Sequence, residues 1–285
     1  MYLSRFEFPD SEKESGFVFG IRRTCYDTFY PFQVLAAKGL EALDFAPVTI
    51  LYGGNGSGKT TALNVIAEKL GLERESRYNR SCFFEDYLRL CEAECQKPVP
   101  PSSRVITSDD VFDYMLNLRA LNEGVDARRE ELFEEYLDAK HSEFKLRSLA
   151  DYEQLKKVND SRRLSQSRFV RAHVMGNLRE QSNGESAFFY FTNKIQENAL
   201  YLLDEPENSL SPQRQMELAQ FLEDSARFFG CQMIIATQSP ILLALKGARI
   251  YDLDADPVAV CPWTQLPSVQ AYYQFFKNNA RAFEK

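Results

Sequence analysis

The 285 residues are 44% hydrophobic and 13% aromatic, which is enough apolar material for a sizeable core and argues against intrinsic disorder. A formal net charge of -7 argues against a protein that coats nucleic acid through its overall charge, so such contact needs a local basic patch. No apolar run approaches the roughly 20 residues of a membrane span, and the first residues lack a signal-peptide pattern. We therefore expect a cytoplasmic protein that does not contact membranes, with reduced thiols because its six cysteines form no CxxC pair.

Hydrophobic patterning predicts an α/β fold with an inserted helical subdomain. Residues 1–72 combine the strand-like runs FVFGIRR and APVTILY with a helix that begins inside GSGKTTALNVIAEKL. Residues 73–180 are charged and helical in pattern, which predicts the inserted subdomain. Residues 181–266 return to strand–helix–strand order, with NALYLLD and CQMIIAT as buried strands, and residues 267–285 are predicted to form a helical tail.

The clearest motif is GGNGSGKT at residues 53–60, which fits GxxxxGK[ST] between an apolar strand and a helix. Its backbone N–H groups are expected to surround phosphate oxygens, while Lys59 places charge at the β and γ phosphates and contributes to catalysis. Thr60 offers a hydroxyl to Mg²⁺, and Thr61 is expected at the α phosphate. The alternative is a glycine-rich turn with an exposed lysine. The predicted phosphate-binding residues are Gly53, Gly54, Asn55, Gly56, Ser57, Gly58, Lys59, Thr60 and Thr61.

A second motif, NALYLLDEPENSLSP, places two carboxylates at the end of a buried strand. Asp204 is expected to hold Mg²⁺, and Glu205 is expected to point to the attacking water as the catalytic base. Taken alone, adjacent carboxylates at a strand end are equally typical of a solvated turn. In IIATQSP, a third buried strand ends in polar residues and presents Gln238 to the same edge of a parallel sheet.

The order of GGNGSGKTT, REQSNGES and YLLDEPENSLSP resembles the ATP-binding-cassette (ABC) ATPases. The DEPEN sequence, without a clear glutamine loop after the first helix, looks more like the soluble RecF-like and SMC-like branch than a transporter subunit. YPF at residues 30–32 and the IIATQSP strand are similar to a group of small bacterial predicted ATPases. The resemblance implies a P-loop NTPase fold with an ABC-type core, and ATP and Mg²⁺ as cofactors.

The resemblance also assigns roles to residues whose pattern is weak. Ser182 and Gly184 fall in the signature segment that completes the site of a second subunit, which implies a homodimer with two ATP molecules between the subunits. Asn183, Glu185 and Ser186 depart from the family's pattern, and a helix cap is the alternative.

Two further positions are assigned in the same way. Asp109 lies near the place where relatives sense Mg²⁺ and the γ phosphate, although Thr107 or Ser108 with Asp110 would equally form a simple helix cap. Gln238 stands where the family commonly has histidine, and we expect it to position the attacking water. Its alternatives are a cap for the helix that follows Pro240 or a bond to the backbone at the sheet edge.

The segment from residue 156 to residue 179 carries seven cations against one acid. One interpretation is a surface that binds the phosphates of DNA or RNA. The alternative is an ordinary solvated helical face. The sequence as a whole favours an ABC-type ATPase whose dimer acts on nucleic acid or a partner effector protein, in DNA maintenance or anti-phage defence. A non-catalytic ATP-dependent dimerisation switch and the nucleotide-binding subunit of a transporter are the alternatives. The seven cations are Lys156, Lys157, Arg162, Arg163, Arg168, Arg171 and Arg179.

Overall fold

The computed structural model describes residues 1–21, 25–141, 152–174 and 183–283. The chain divides into two compact units, of which the first combines Met1–Phe112 with Asn183–Lys285 and the second is Asp113–Ser182. The second unit is shorter than the predicted insertion over residues 73–180. The reason is that residues 92–95 and 104–107 form strands that pair within the sheets of the first unit.

The strands of the described residues form two sheets in the first unit. The bounds of the strands are β1 (Leu3–Glu7), β2 (Ala42–Asp44), β3 (Val48–Tyr52), β4 (Glu92–Cys95), β5 (Arg104–Thr107), β6 (Leu200–Asp204), β7 (Gln232–Ala236), β8 (Arg249–Asp252) and β9 (Ala259–Val260). A three-stranded antiparallel sheet has the order β2-β1-β4, and a six-stranded sheet has the order β5-β6-β7-β3-β8-β9.

The six-stranded sheet is parallel except for the antiparallel pair of β8 and β9. Its central strands are almost continuously apolar, and β3 and β7 are buried along their whole length. This pattern is typical of a parallel sheet that is covered on both faces. Because the strands run in the same direction, the carboxyl ends of β3, β5, β6 and β7 meet at one edge of the sheet. The predicted P-loop NTPase fold is therefore confirmed.

The helices of the described residues cover the sheet and build the second unit. Their bounds are α1 (Ser11–Gly20), α2 (Lys59–Leu70), α3 (Phe84–Leu90), α4 (Ser108–His141), α5 (Tyr152–Arg163), α6 (Gln166–His173), α7 (Asn183–Lys194), α8 (Pro212–Phe228), α9 (Pro240–Leu243) and α10 (Pro267–Asn278). α2 packs on β6 and β7 through a buried face that includes Leu63, Val65 and Ile66. The Ser211 hydroxyl caps α8 by accepting a hydrogen bond from the Arg214 N–H.

The second unit is helical, as its composition predicts, and has a small apolar core of its own. Leu132 and Tyr136 on α4 pack against Phe169 and Val170 on α6, and all four side chains are buried. The ring centroids of Tyr136 and Phe169 lie 5.4 Å apart. This cluster ties α4 to α6 without using any residue of the first unit.

The strand predicted for FVFGIRR is wrong, since residues 11–20 form helix α1. The Asp10 side chain caps this helix by accepting from the Lys13 N–H at 2.8 Å. Phe17 then stacks on Phe32, with ring centroids 4.5 Å apart. A local cap and a distant aromatic contact thus override the strand propensity of the apolar run.

The predicted helical tail after residue 266 is present as α10. None of the helices in the described residues combines the length and the apolar character that a membrane crossing requires.

Candidate nucleotide-binding site

The glycine loop of residues 53–58 joins the end of β3 to the first turn of α2, as the motif predicts. Two of its glycines are required by geometry. A Cβ on Gly53 would lie 2.5 Å from the Ser57 hydroxyl oxygen, and Gly58 has a φ of 96° with Leu35 at 3.0 Å from the position of a Cβ. Larger residues at either position would force the loop open. The loop therefore has the tight turn that a phosphate cradle needs.

Lys59 lies inside this loop rather than in solvent, with only 5% of its surface exposed. Its ammonium Nζ donates to the carbonyl oxygens of Gly53 at 2.7 Å and Gly54 at 3.0 Å. A buried lysine that has only backbone carbonyls as acceptors keeps its charge available to an incoming anion. The alternative of a turn with an exposed lysine is excluded by this burial.

Thr60 and Asp204 meet where the carboxyl end of β6 reaches the start of α2. The Thr60 hydroxyl donates to the Asp204 carboxylate at 3.2 Å. Burial raises the pKa of Asp204 to about 6, with a smaller contribution from Glu205, while the Thr60 hydroxyl and the Lys59 charge oppose this rise. A divalent cation would reverse the effect by favouring the ionised carboxylate.

The oxygen donors at this edge fit Mg²⁺, which prefers hard oxygen ligands and usually takes one or two carboxylates together with water and phosphate oxygens. Thr60 and Asp204 are the nearest pair, and Asp109 lines the same cavity. The structure also forms the helix cap that was the alternative for this segment. Asp110 accepts from the Thr107 N–H at 2.7 Å, and its own N–H donates to the Thr107 hydroxyl at 3.3 Å. Asp110 forms this cap, whereas the exposed Asp109 lines the cavity.

Glu205 has an unusual backbone conformation directly after Asp204. Its φ of 49° lies in the left-handed region, which is uncommon for a residue other than glycine, asparagine or aspartate. Its N–H donates to the Ala236 carbonyl at 2.9 Å, and its carboxylate accepts from the Asn208 side chain at 3.0 Å. Strained residues of this kind concentrate at functional sites, so the geometry agrees with a chemical role for Glu205.

Gln238 lies between the phosphate loop and the segment that follows β6. Its side-chain amide donates to Asn55 at 3.2 Å, and its backbone N–H donates to Glu207 at 3.0 Å. Ser239, and not Gln238, caps α9 by accepting from Ile241 and Leu242. The other carboxylate oxygen of Glu207 is buried without a hydrogen-bond partner in the described residues. Glu207 therefore holds the backbone of Gln238 while the Gln238 side chain contacts the phosphate loop, a role that the sequence does not predict.

A cavity of about 450 Å³ opens beside Thr60, Thr61 and Asp204. The Tyr30 hydroxyl donates to Thr61 at 3.2 Å, which connects the YPF segment to the expected α-phosphate position. Arg74 also lines the cavity, and its guanidinium lies 4.1 Å from the centre of the Tyr78 ring. The structure describes no carboxylate within ion-pair distance of Arg74, so its charge is available to a bound phosphate.

The predicted signature segment is described only in part. Ser182 lies outside the described residues. Gly184 lies in the first turn of α7, where a Cβ would be 3.6 Å from the Arg214 side chain and 3.7 Å from the Ser209 carbonyl. These are ordinary contacts, so the described residues do not themselves require glycine here. The Arg214 guanidinium donates to Glu185 at 3.1 Å and ties the start of α7 to α8.

Three residues of the site escaped the sequence analysis. Arg74 belongs to no motif, and Glu207 lies within the DEPEN sequence, which predicts no role for it. Asp254 follows β8 and accepts a hydrogen bond from the phosphate loop. Only the rule that carboxyl ends of parallel strands share one edge would have drawn attention to Asp254.

Comparison with known proteins gives one family match. Residues 176–244 match a family described as "AAA domain, putative AbiEii toxin, Type IV TA system", which is about a quarter of the chain. Among curated proteins, the sequence search returned no match.

Solved structures with similar folds share little sequence with this chain. An SMC head domain from Thermotoga maritima is 14% identical, with 92% of this chain and 99% of that chain covered and a TM-score of 0.40. The Smc head domain of Pyrococcus furiosus, bound to the C-terminal domain of ScpA, is 13% identical, with 84% and 95% covered and a TM-score of 0.41. An ATP-binding cassette dimer bound to ADP and Pi is 15% identical, with 76% and 85% covered and a TM-score of 0.35. Our assignment of the fold therefore depends on the sheet order and the phosphate loop.

Proposed function

We propose that this chain is an ABC-type ATPase that binds Mg-ATP at residues 53–61 and hydrolyses it. The contact between the Thr60 hydroxyl and the Asp204 carboxylate carries the proposal. It brings the phosphate loop and an acidic strand end, which are 144 positions apart in sequence, to one edge of the sheet. A glycine turn and a solvated acidic turn that arose independently would have no reason to meet there.

Each residue at this edge has a distinct role in the proposed reaction. Lys59 holds the β and γ phosphates through its fixed charge, and Arg74 adds a second cation from the cavity side. Thr60 and Asp204, with Asp109 from the lining of the same cavity, would hold Mg²⁺, whose charge would offset that of the phosphates. Glu205 accepts a proton from the attacking water, and Gln238 orients that water with its amide.

The resemblance to ABC ATPases further supports an ATP-bound homodimer. In this arrangement Ser182 and Gly184 contact the nucleotide held by the other subunit. The neighbours of the Gly184 Cβ position lie at ordinary contact distances of 3.6 Å or more, so the packing of its own chain does not require glycine there. A glycine kept without such a need agrees with a close approach by a ligand.

Calorimetric titration of Mg-ATP into the wild type and Lys59→Ala tests the nucleotide site. We expect binding by the wild type and its loss in Lys59→Ala, with unchanged circular dichroism. Lys246→Ala is the matched control, because the Lys246 side chain is 87% exposed and lies outside the site. Equal affinities of Lys59→Ala and the wild type would exclude residues 53–61 as the nucleotide site.

We also propose that the ATPase acts on a macromolecular partner, with DNA or RNA as the first candidate and DNA maintenance or anti-phage defence as the setting. Arg162 and Arg163 on α5 and Arg168 and Arg171 on α6 are exposed on the second unit. Lys156 and Lys157 lie on α5 in a segment whose side chains are not described, and Arg179 lies outside the described residues. Exposed cations of this kind bind phosphates with a steep dependence on salt.

Fluorescence anisotropy with short DNA and RNA, with and without ATP, tests this partner class. Substituting alanine for Arg162, Arg163, Arg168 and Arg171 should weaken binding and flatten its salt dependence. If the wild type binds neither nucleic acid at low salt, with or without ATP, nucleic acid is excluded as the partner.

A further inference from the structure

The C-terminal helix α10 exposes aromatic side chains on most of its surface. Only Val269 is buried among its residues, whereas Tyr272, Tyr273, Phe275 and Phe276 are each more than half exposed. The Phe275 and Phe276 rings contact each other, with centroids 5.4 Å apart. A 12-residue helix with so little tertiary contact is marginal in water, so the exposed rings need a partner surface.

An apolar groove of about 390 Å³ lies beside the base of this helix. Leu243, Ile250, Val260 and Trp263 are among its lining residues. Trp263 belongs to a short 3-10 helix, residues 263–265, that packs on α10. Trp263 therefore lies between this groove and the start of α10, whose exposed aromatic face is called the aromatic ridge below.

A ridge and a groove on the same chain allow two copies to pack symmetrically about a two-fold axis. Each copy then inserts its ridge into the groove of the other, and the two contacts are equivalent and closed. A second copy of this chain thus covers both apolar features at once. Any other partner would need its own ridge and groove in matching positions.

The exposed area also fits a dimer. Six rings are 39% to 69% exposed, and a buried aromatic side chain contributes about 150–250 Å², so together they offer roughly 500–800 Å². Each partner of a standard interface contributes about 800 Å², and the largest apolar patch of a typical monomer is about 300–600 Å². The ridge and the groove together reach the size of a specific interface. The six rings are Trp263, Tyr272, Tyr273, Phe275, Phe276 and Phe283.

The charges of the helix favour a protein surface over nucleic acid. Residues 267–283 contain Lys277 and Arg281 and no acid. The Lys277 ammonium already lies over the Tyr273 ring, 5.8 Å from its centre. Two cations are few for a nucleic-acid surface, because affinity there depends on neutralising many phosphates.

From these observations we propose that α10 and the groove beside it form a homodimer contact that does not require nucleotide. The contact is separate from the ATP-bound dimer of the proposed function, and it holds two copies together in the absence of ATP. We therefore expect Lys59→Ala, which removes the nucleotide-binding charge, to leave this contact unchanged.

Sedimentation velocity over a range of protein concentrations, without nucleotide, tests the contact. We expect a dimer for the wild type and for Lys59→Ala, and a dissociation constant raised by about tenfold or more in Phe275→Gln/Phe276→Gln. Phe19→Gln is the matched control, since Phe19 is 89% exposed on α1, and we expect it to dimerise like the wild type. A wild type that stays monomeric, or a double variant that dimerises like the wild type, would overturn the proposal.

A mixing experiment distinguishes ridge-in-groove packing from packing of one α10 on the other. Val260→Lys blocks the groove but keeps the ridge, while Phe275→Gln/Phe276→Gln does the opposite. Each variant alone loses both contacts, but a mixture of the two regains one intact contact in the heterodimer. We expect heterodimer formation to exceed dimerisation of either variant. No heterodimer, or binding of a single-stranded oligonucleotide by a monomeric wild type through the same rings, would refute the proposed contact.

Discussion

Asp254 holds the phosphate-binding loop from the neighbouring strand, because its carboxylate accepts a hydrogen bond from the Gly54 N–H at 2.7 Å. Asp254 follows β8, which pairs directly with β3 and places Asp252 opposite Tyr52. The loop is therefore fixed at its start by a residue 200 positions away in sequence. This hydrogen bond preorganises the loop for phosphate, and it uses the Gly54 N–H, whereas Lys59 binds the carbonyl oxygens of Gly53 and Gly54.

Removing the anchor should weaken nucleotide binding more than it affects the chemical step. In Asp254→Ala we expect the dissociation constant of Mg-ATP to rise about fivefold, since one hydrogen bond contributes roughly 1 kcal/mol. Asp254→Asn keeps an acceptor and should bind at least as well as the wild type, because it also removes a negative charge beside the phosphates. Calorimetry measures both, with Asp256→Ala as an exposed control in the same turn. Equal loss of affinity in Asp254→Asn and Asp254→Ala would argue against a hydrogen-bond anchor.

Much of the site can be predicted from sequence because its parts are local. The glycine loop, Lys59 and Asp204 each follow from a motif next to a buried strand, and the strands themselves follow from apolar runs. Asp254 and Arg74 could not be found in this way, since each reaches the site only through strand order or a cavity wall. For α1, the side chains of Asp10 and Phe32 favour the helix, and neither lies within the FVFGIRR run that predicts a strand.

The Gln238 amide does not titrate, so it should add no pH dependence of its own to the rate of hydrolysis. Its amide contacts Asn55 at 3.2 Å, next to the phosphate loop. Gln238→His should introduce a new titration of the turnover rate between about pH 5.5 and 7.5, because the imidazole has an ordinary pKa of about 6.5. Gln238→Ala should lower the rate with little loss of ATP affinity. Steady-state rates at saturating ATP across this pH range measure both effects. Full activity in Gln238→Ala would remove Gln238 from the mechanism.

Glu14 lies outside the nucleotide site and should make the free energy of unfolding depend on pH. It is 2% exposed on α1, and burial raises the pKa of its carboxyl, although the Gln33 N–H opposes the rise. A raised pKa means that the folded state binds the proton more tightly than the unfolded state. This contribution favours folding at acidic pH and is lost as the pH rises from the unfolded pKa through the raised folded pKa.

Glu14→Gln removes this titration while keeping an acceptor for the Gln33 N–H. We expect the variant to gain stability relative to the wild type at neutral pH and to match it near pH ~4. Urea unfolding at both pH values gives the two free energies. Glu7→Gln is a control on the same N-terminal segment, with a partly exposed carboxylate. A difference between Glu14→Gln and the wild type that does not change with pH would contradict the assignment.

The proposed hydrolysis of ATP takes place at the edge formed by Thr60, Asp204 and Glu205. The most direct measurement compares phosphate release from Mg-ATP by the wild type and Glu205→Gln, with ATP affinity measured on the same samples. We predict that Glu205→Gln binds Mg-ATP as tightly as the wild type but turns it over at least about a hundredfold more slowly, since it lacks the base that accepts the proton from water. Equal phosphate release by Glu205→Gln and the wild type would contradict the proposed catalytic site.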